Sequence, residues 1–294
     1  MSGGNIGNLL GLAQSAQAGG NLEEAVSYYN RVLEIDPRMP AAWLGKGEAV
    51  AWQSTLAHLR LDEALVAFTH AIGSADPAEA KDIAGQAART MNTVVTALHG
   101  LAQSHLAEFV NVSDVWAQHI GRNAGMIAAL ESVRDWSGDE GLLTNSTIEA
   151  LCRDTLEGRS YKDPFDNNTA KLHGVTPGYE ADLTAKRQEV IGRIAAIIPN
   201  YSAPELKKQK LEEAACFVVT ATMGDFEHPV VRLMRRYRDE RMLRGPKGTR
   251  LVHGYYRVGP AVAAVIARHV VLRRISYVLV VAPAARWARW RLSR

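Results

Sequence analysis

Between residues 25 and 77 the chain writes one pattern twice. Ala25, Tyr29, Val32 and Asp36-Pro37 are followed thirty-nine to forty residues later by Ala64, Phe68, Ala71 and Asp76-Pro77. A small residue, then a ring one helical turn on, then a proline describe a helix that crosses a neighbour closely and fills the groove between them. It then stops, because proline cannot continue a helix. Ahead of each copy lies another apolar stretch, Leu9, Leu12 and Ala13 in the first and Trp43 and Gly47 in the second, with Gly20-Asn21 as the first turn. Each copy is therefore a helix–turn–helix unit, and a chain begun this way is committed to stacked helices.

Ile6 to Met39 fits the 34-residue tetratricopeptide (TPR) repeat, and a second copy starting at Pro40 resembles it with about five residues inserted between Trp52 and Leu61, where they lengthen the first helix or its turn. Asn21 with Glu24 is expected as a capping box. Two repeats bury their apolar faces only against neighbours, so a capping segment is expected next. Ala78 to Val110 supplies it, with Ile83, Ala87, Met91, Val94, Val95, Leu98, Leu101, Ala102 and Leu106 in helical period as one helix or two. The resemblance implies a concave groove that binds a protein or peptide partner, with Asn8, Leu12 and Lys46 facing it.

Ser113-Asp114 opens a further helix that runs to Ser137-Gly138, and Thr144 to Gly158 reads as a shorter one. Residues 159–179 have no period and many breakers, among them Asp163-Pro164 and Thr176-Pro177-Gly178. Glu180 to Ile198 resumes as an amphipathic helix, and Ser202-Ala203-Pro204-Glu205 signals another that ends near Ala215. The expected organisation is repeats with their cap over 1–110, further helices over 111–158, a linker over 159–179 and a cationic C-terminal domain over 180–294.

Phe217 to Thr222 is rich in Val and Thr, which favour a pleated surface, so a short strand is expected there. Met223-Gly224-Asp225 reads as a turn and Pro229 as the start of a helix. In that helix Val230, Leu233, Met234 and Tyr237 form one apolar stripe, while Arg232, Arg235, Arg236 and Arg238 occupy the remaining surface. The run Cys216 to Thr222, then Gly224, His228-Pro229, Leu233, Arg238-Asp239, Leu243, Gly248 and Tyr255-Tyr256, resembles the bacterial CFI-box C-terminal domain, typified by a Cys-Phe-Ile-Ala-Thr-Ala start. Val218 and Val219 stand here where that start has Ile-Ala. The resemblance implies a small, mostly helical domain in a family without a settled activity. The fold class expected for the whole chain is mainly α, TPR-like hairpins with capping helices followed by this domain.

Charge divides the chain. From Arg232 to the end there are sixteen Lys or Arg against two acids, a net +14, whereas the preceding 231 residues carry eighteen basic and twenty-nine acidic residues, a net −11. The cationic part is expected to seek phosphate, or else the acidic face of the chain's own first half. Val258 to Ala267 and Ile275 to Ala285 are uncharged runs too short to span a bilayer, which takes roughly 20 residues. Two arrangements fit them: helices lying in a headgroup region, with Arg268, Arg273, Arg274, Arg286, Arg289, Trp287 and Trp290 at an anionic surface, or an apolar hairpin packed on the domain core.

Cys216, Asp225, His228 and His253 are the grouping with covalent potential, since nearby arginines or a histidine favour a thiolate. Their ordinary reading is a small buried cysteine at the head of an apolar run, and acylation of Cys216 is a third. His99, His105 and His119 lack the one-face spacing of a metal pair, so no metal is expected. Phosphate loops and hydrolase elbows are absent, and no cofactor is expected. Aromatic–arginine interleaving arrives without a nucleic-acid-binding motif, which argues against nucleic acid as partner. Two cysteines and no signal-peptide pattern at the start point to a reducing cytoplasm. The reading is thus a non-enzymatic adaptor, with peripheral association at the inner face of the membrane, and the alternative is a cysteine-dependent, self-processing or acylated module centred on Cys216.

Overall fold

Helix α1 (Ser2–Ala18) packs against α2 (Leu22–Ile35), α2 against α3 (Pro40–Trp52), and α3 against α4 (Leu61–Ser74) in a computed structural model that describes residues 2–136, 141–165, 169–209, 216–225 and 228–293. The close crossings come from glycines. The Tyr29 ring lies so near Gly45 that an added Cβ would meet Tyr29 Cζ at 2.2 Å, and one at Gly47 would meet Phe68 Cδ1 at 2.6 Å. Asn21 stands at the start of α2 without making a side-chain cap; instead its Nδ2 donates to Glu24 Oε2 at 2.6 Å, so the expected capping box does not form. The insertion after Trp52 is a loop, not a longer helix, and Arg122 donates to its Leu56 carbonyl at 2.8 Å.

The capping segment is one helix of 32 residues, α5 (Pro77–Glu108), begun by Pro77 in its first turn and by Asp76, whose Oδ1 accepts from the Ala78 and Glu79 amides at 3.0 Å each. Helices α6 (Val115–Arg134) and α7 (Gly141–Glu157) continue the layer. Phe68, Met91, Met126, Leu130, Ile148 and Leu151 are buried in one cluster that draws on α3 to α8. That core joins the repeats and their cap to the further helices expected over 111–158.

Residues 159–179, expected as a linker, hold a hairpin and the start of a helix. Strands β1 (Arg159–Asp163) and β2 (Thr169–His173) pair antiparallel with Arg159 opposite His173, and α8 (Pro177–Ile197) packs on α7. Gly158 makes the entry possible, since its φ is +70° and a Cβ there would lie 2.4 Å from the His173 carbonyl oxygen. The breakers punctuate elements rather than separating domains. Residues 201–209 are not helical although Ser202 and Pro204 signal a start; they run back over α7, with the Lys207 and Gln209 amides donating to the Glu157 side chain and carbonyl at 3.0 and 2.7 Å. The rest of that expected helix, 210–215, lies outside the described residues.

The chain divides into two compact units, Met1–Leu211 and Glu212–Arg294. In the second, Phe217–Met223 is helix α9, not the expected strand. The described residues of this unit hold no strand to pair with, so the β preference of Val and Thr has nothing to act through. Thr222 donates its hydroxyl to the Val218 carbonyl at 2.7 Å, as threonine does inside helices. Gly224 at φ +73° then turns the chain. Helix α10 (Pro229–Tyr237) is followed by a wide turn over Arg238–Met242 and by α11 (Pro246–Arg268), α12 (Val270–Ser276) and α13 (Ala282–Leu292). Between α12 and α13 the helix widens over Tyr277–Val281, which relieves the missing N–H and the ring clash of Pro283 one turn on. The expected stripe of α10 holds in part, with Tyr237 buried and Val230 and Met234 packed on the core, but Val231 and Arg235 are buried too, so one arginine lies on the inward face. The protein is mainly helical, and among the described residues no helix is long and apolar enough to cross a membrane.

Candidate functional site

The first unit carries a cavity of about 360 Å³ walled by α1, α3 and α5, with Gln14, Gln17, Leu44, Glu48 and Gln86 on its rim and Tyr29 beneath. Asn8, Leu12 and Lys46 are absent from its lining. Asn8 and Leu12 are exposed on α1, and Lys46 places its Nζ 5.1 Å from the Trp43 ring centroid. A repeat resemblance identifies which helices line a groove but not their rotation, and Glu48 lies two positions beyond Lys46 on α3.

Glu48 is the charged centre of the groove. Gln17 Nε2 donates to its Oε2 at 3.1 Å, Gln86 Nε2 to its Oε1 at 2.7 Å, and the Thr90 hydroxyl to Oε1 at 3.4 Å. Tyr29 donates to Gln17 Oε1 at 2.8 Å, closing the network. Burial and the Glu48 charge push the Tyr29 hydroxyl up to about 12. A signal for Glu48 was present in the sequence, as the lone acid of a largely apolar helix whose other charge is Lys46. Its three donors come from two other helices and carried none.

A second polar cluster lies deeper. Asp154 on α7 accepts from His119 Nε2 at 2.7 Å, His99 Nε2 at 3.3 Å, Gln103 Nε2 at 3.0 Å and Asn123 Nδ2 at 3.2 Å. Burial would raise the Asp154 carboxyl, but the hydrogen bonds from His119, His99 and Gln103 more than offset it and hold the group well below the usual carboxylate range. Tyr161, His173, Trp116 and His119 stack in succession, with centroid separations of 4.7, 5.7 and 5.5 Å, and fasten the hairpin to α6. Two of the three histidines set aside as a metal set thus meet on one carboxylate, because they sit on different helices where spacing within one helix says nothing. Among the described residues no group of three or more His, Cys, Asp or Glu is arranged to hold a metal ion. His119 is wholly buried, so this cluster clamps α5, α6 and α7 together rather than presenting chemistry to a ligand.

In the second unit, Cys216 is 8% exposed and packs with Val219, Val231 and Val281. Burial pushes its thiol up, and Arg238 and Arg235 only partly counter it, so the arginine neighbourhood does not generate a thiolate. His228 is engaged elsewhere, its Nδ1 accepting from the Val230 amide at 3.2 Å to cap α10. Asp225 and His253 are exposed, and among the described residues no hydrogen bond joins the Cys216 thiol to His228. The grouping lacks the assembled geometry of a nucleophile and its base.

The tail is different. Val270, Val271, Val278 and Leu279 are each more than 60% exposed, and Trp287 and Trp290 are about half exposed. Arg268, Arg274, Arg286 and Arg289 are exposed and, among the described residues, have no carboxylate partner. Arg273 differs from them: it is part-buried and donates to the Ala267 carbonyl at 2.8 Å, tying α12 to the end of α11. Trp287 keeps one edge on Tyr237, with centroids 5.2 Å apart. No protein-family model matches the chain, and no curated protein matches it.

Proposed function

We propose that this protein is a non-enzymatic adaptor that holds a protein or peptide segment in the groove of a TPR-like first unit. Its CFI-box-like second unit docks on an anionic membrane surface. The observation that carries the reading is the groove itself, an open cavity walled by alternate helices of successive hairpins, with its polar side chains held in place by one another. The glycine–ring contacts Gly45–Tyr29 and Gly47–Phe68 support repeat-type crossings. Peptides selected on the full chain from a random library test the groove directly. Ala41 is exposed and lines the cavity, so Ala41→Trp fills it without touching the core. Selected peptides should lose binding to that variant, and undiminished binding would refute the groove as the site.

Membrane docking rests on exposed aliphatic side chains interleaved with Arg268, Arg274, Arg286 and Arg289, which among the described residues have no acidic partner. Such a surface gains from burial of its apolar atoms in the headgroup boundary and from each phosphate it approaches, about 1 kcal/mol per basic residue. Tryptophans at its end suit the same boundary. This reading puts the protein in the cytoplasm, peripheral at the inner face of the membrane. Vesicles containing phosphatidylserine should sediment the full chain and pure phosphatidylcholine vesicles should not, and substituting Arg268, Arg274, Arg286 and Arg289 by Gln should abolish the difference. Equal sedimentation with both vesicle types would remove the membrane half. The cysteine-centred alternative has no geometric support, given the buried thiol and the engaged His228.

A further inference from the structure

We infer that the groove of the first unit recognises its peptide through an arginine or lysine side chain seated on Glu48. This assignment of ligand class rests on the groove being a peptide site. Glu48 is part-buried in the cavity wall, and every group that holds it is neutral: the amides of Gln17 and Gln86 and the hydroxyl of Thr90. Neutral donors orient a carboxylate and satisfy lone pairs, but they leave its charge in place. Among the described residues no lysine, arginine or histidine pairs with Glu48.

A carboxylate accepts at about four lone-pair positions, so a cationic donor can join the two amides without displacing them. The bond it makes is charge-assisted and roughly twice as strong as a neutral one. An acidic side chain entering the same space would meet like charge, and a neutral one would repeat what the glutamines already supply. The other walls fit the rest of a long basic residue. Leu44, Ala41 and the buried Tyr29 offer apolar surface along which a methylene stem can lie while its head reaches the carboxylate. At about 360 Å³ the cavity sits near the small end of ligand sites, which run from roughly 300 to 1,000 Å³, and suits one long side chain with its flanking backbone.

The test uses the full chain and three fluorescein-labelled pentapeptides, Gly-Ala-X-Ala-Gly, in which X is arginine, citrulline or glutamate. Citrulline keeps the shape of arginine and removes its charge. Fluorescence anisotropy should show the arginine peptide binding at least tenfold more tightly than the citrulline peptide, with the glutamate peptide weakest and the arginine preference fading as salt rises. Glu48→Gln keeps one of the two acceptor oxygens and removes the charge, so it should erase the preference, while its melting curve reports that the fold is kept. Equal affinity for arginine and citrulline peptides, or an undiminished preference in Glu48→Gln, would overturn the inference while leaving a peptide groove in place. Spermidine displacing the arginine peptide at lower concentration than unlabelled peptide would overturn the peptide source of the cation. Absence of binding by all three peptides would overturn both this inference and the groove reading beneath it.

Discussion

Replacing Asp154 by alanine should destabilise the first unit more than any other single polar substitution in it. Of the four donors that lose their acceptor, His119 is buried at 0% exposure, Asn123 keeps the Thr155 hydroxyl at 2.9 Å, and His99 and Gln103 lie nearer solvent and can rehydrate. A buried neutral donor left bare costs about 1–3 kcal/mol. One such donor, offset in part by no longer burying a carboxylate, gives about 1–3 kcal/mol. Asp154→Asn keeps one acceptor oxygen and should lose less. Urea unfolding followed by Trp fluorescence reads the shift in midpoint at constant slope. The sign with pH is set by the depressed carboxyl. Its stabilisation is fully present above the unfolded value near 3.9 and is lost as pH falls from there toward the folded value, so wild type should weaken on acidification more steeply than Asp154→Asn. A loss below about 1 kcal/mol in the alanine variant, the level of an exposed pair, would refute the clamp. So would parallel acid profiles.

Three further outcomes follow from the same structure. Gly47→Ala places a Cβ 2.6 Å from the Phe68 ring and should lower stability by about 1–3 kcal/mol, measured as a fall in Tm, whereas Gly73→Ala meets no atom within 4 Å and should not. Both thiols should resist alkylation in the folded chain at neutral pH and react once it is unfolded, since burial pushes Cys152 up to about 12 and raises Cys216 as well; intact mass after iodoacetamide reads this directly. Tyr29 and Tyr255 are each raised from 10.0 to about 12, so their contribution is intact below pH 10 and is lost as pH rises toward 12, which an alkaline unfolding series with Tyr29→Phe and Tyr255→Phe variants would detect.

The functional reading gains physical content from the contrast between the two units. Polar side chains of the groove are engaged with one another before any ligand arrives, which lowers the ordering cost of binding. Among the described residues, Arg268, Arg274, Arg286 and Arg289 of the tail have no carboxylate partner and stand beside exposed aliphatic groups, an arrangement whose solvation is improved by lipid phosphate and acyl chain together.

Periodicity and turn chemistry by themselves determined the mainly helical class, the helix pair built around Ala25 and Tyr29, its counterpart around Ala64 and Phe68, and the helical character of the segment after Asp76-Pro77, though not that it is one helix. These signals are local, and each is repeated every turn or fixed by one residue's backbone limits. Only the tertiary structure decided that Phe217–Met223 is helical, because β preference is expressed through a pairing strand that the described part of its unit lacks. It likewise decided that the breakers of 159–179 frame a hairpin, that Arg235 turns inward, and that His99 and His119, twenty residues apart, share Asp154. Glu48 acquires its role the same way, from Gln17 and Gln86 on helices that only folding brings beside it. Contacts between helices depend on their rotation and crossing, which are set by how side chains interlock across the whole core and leave no periodic trace in the chain.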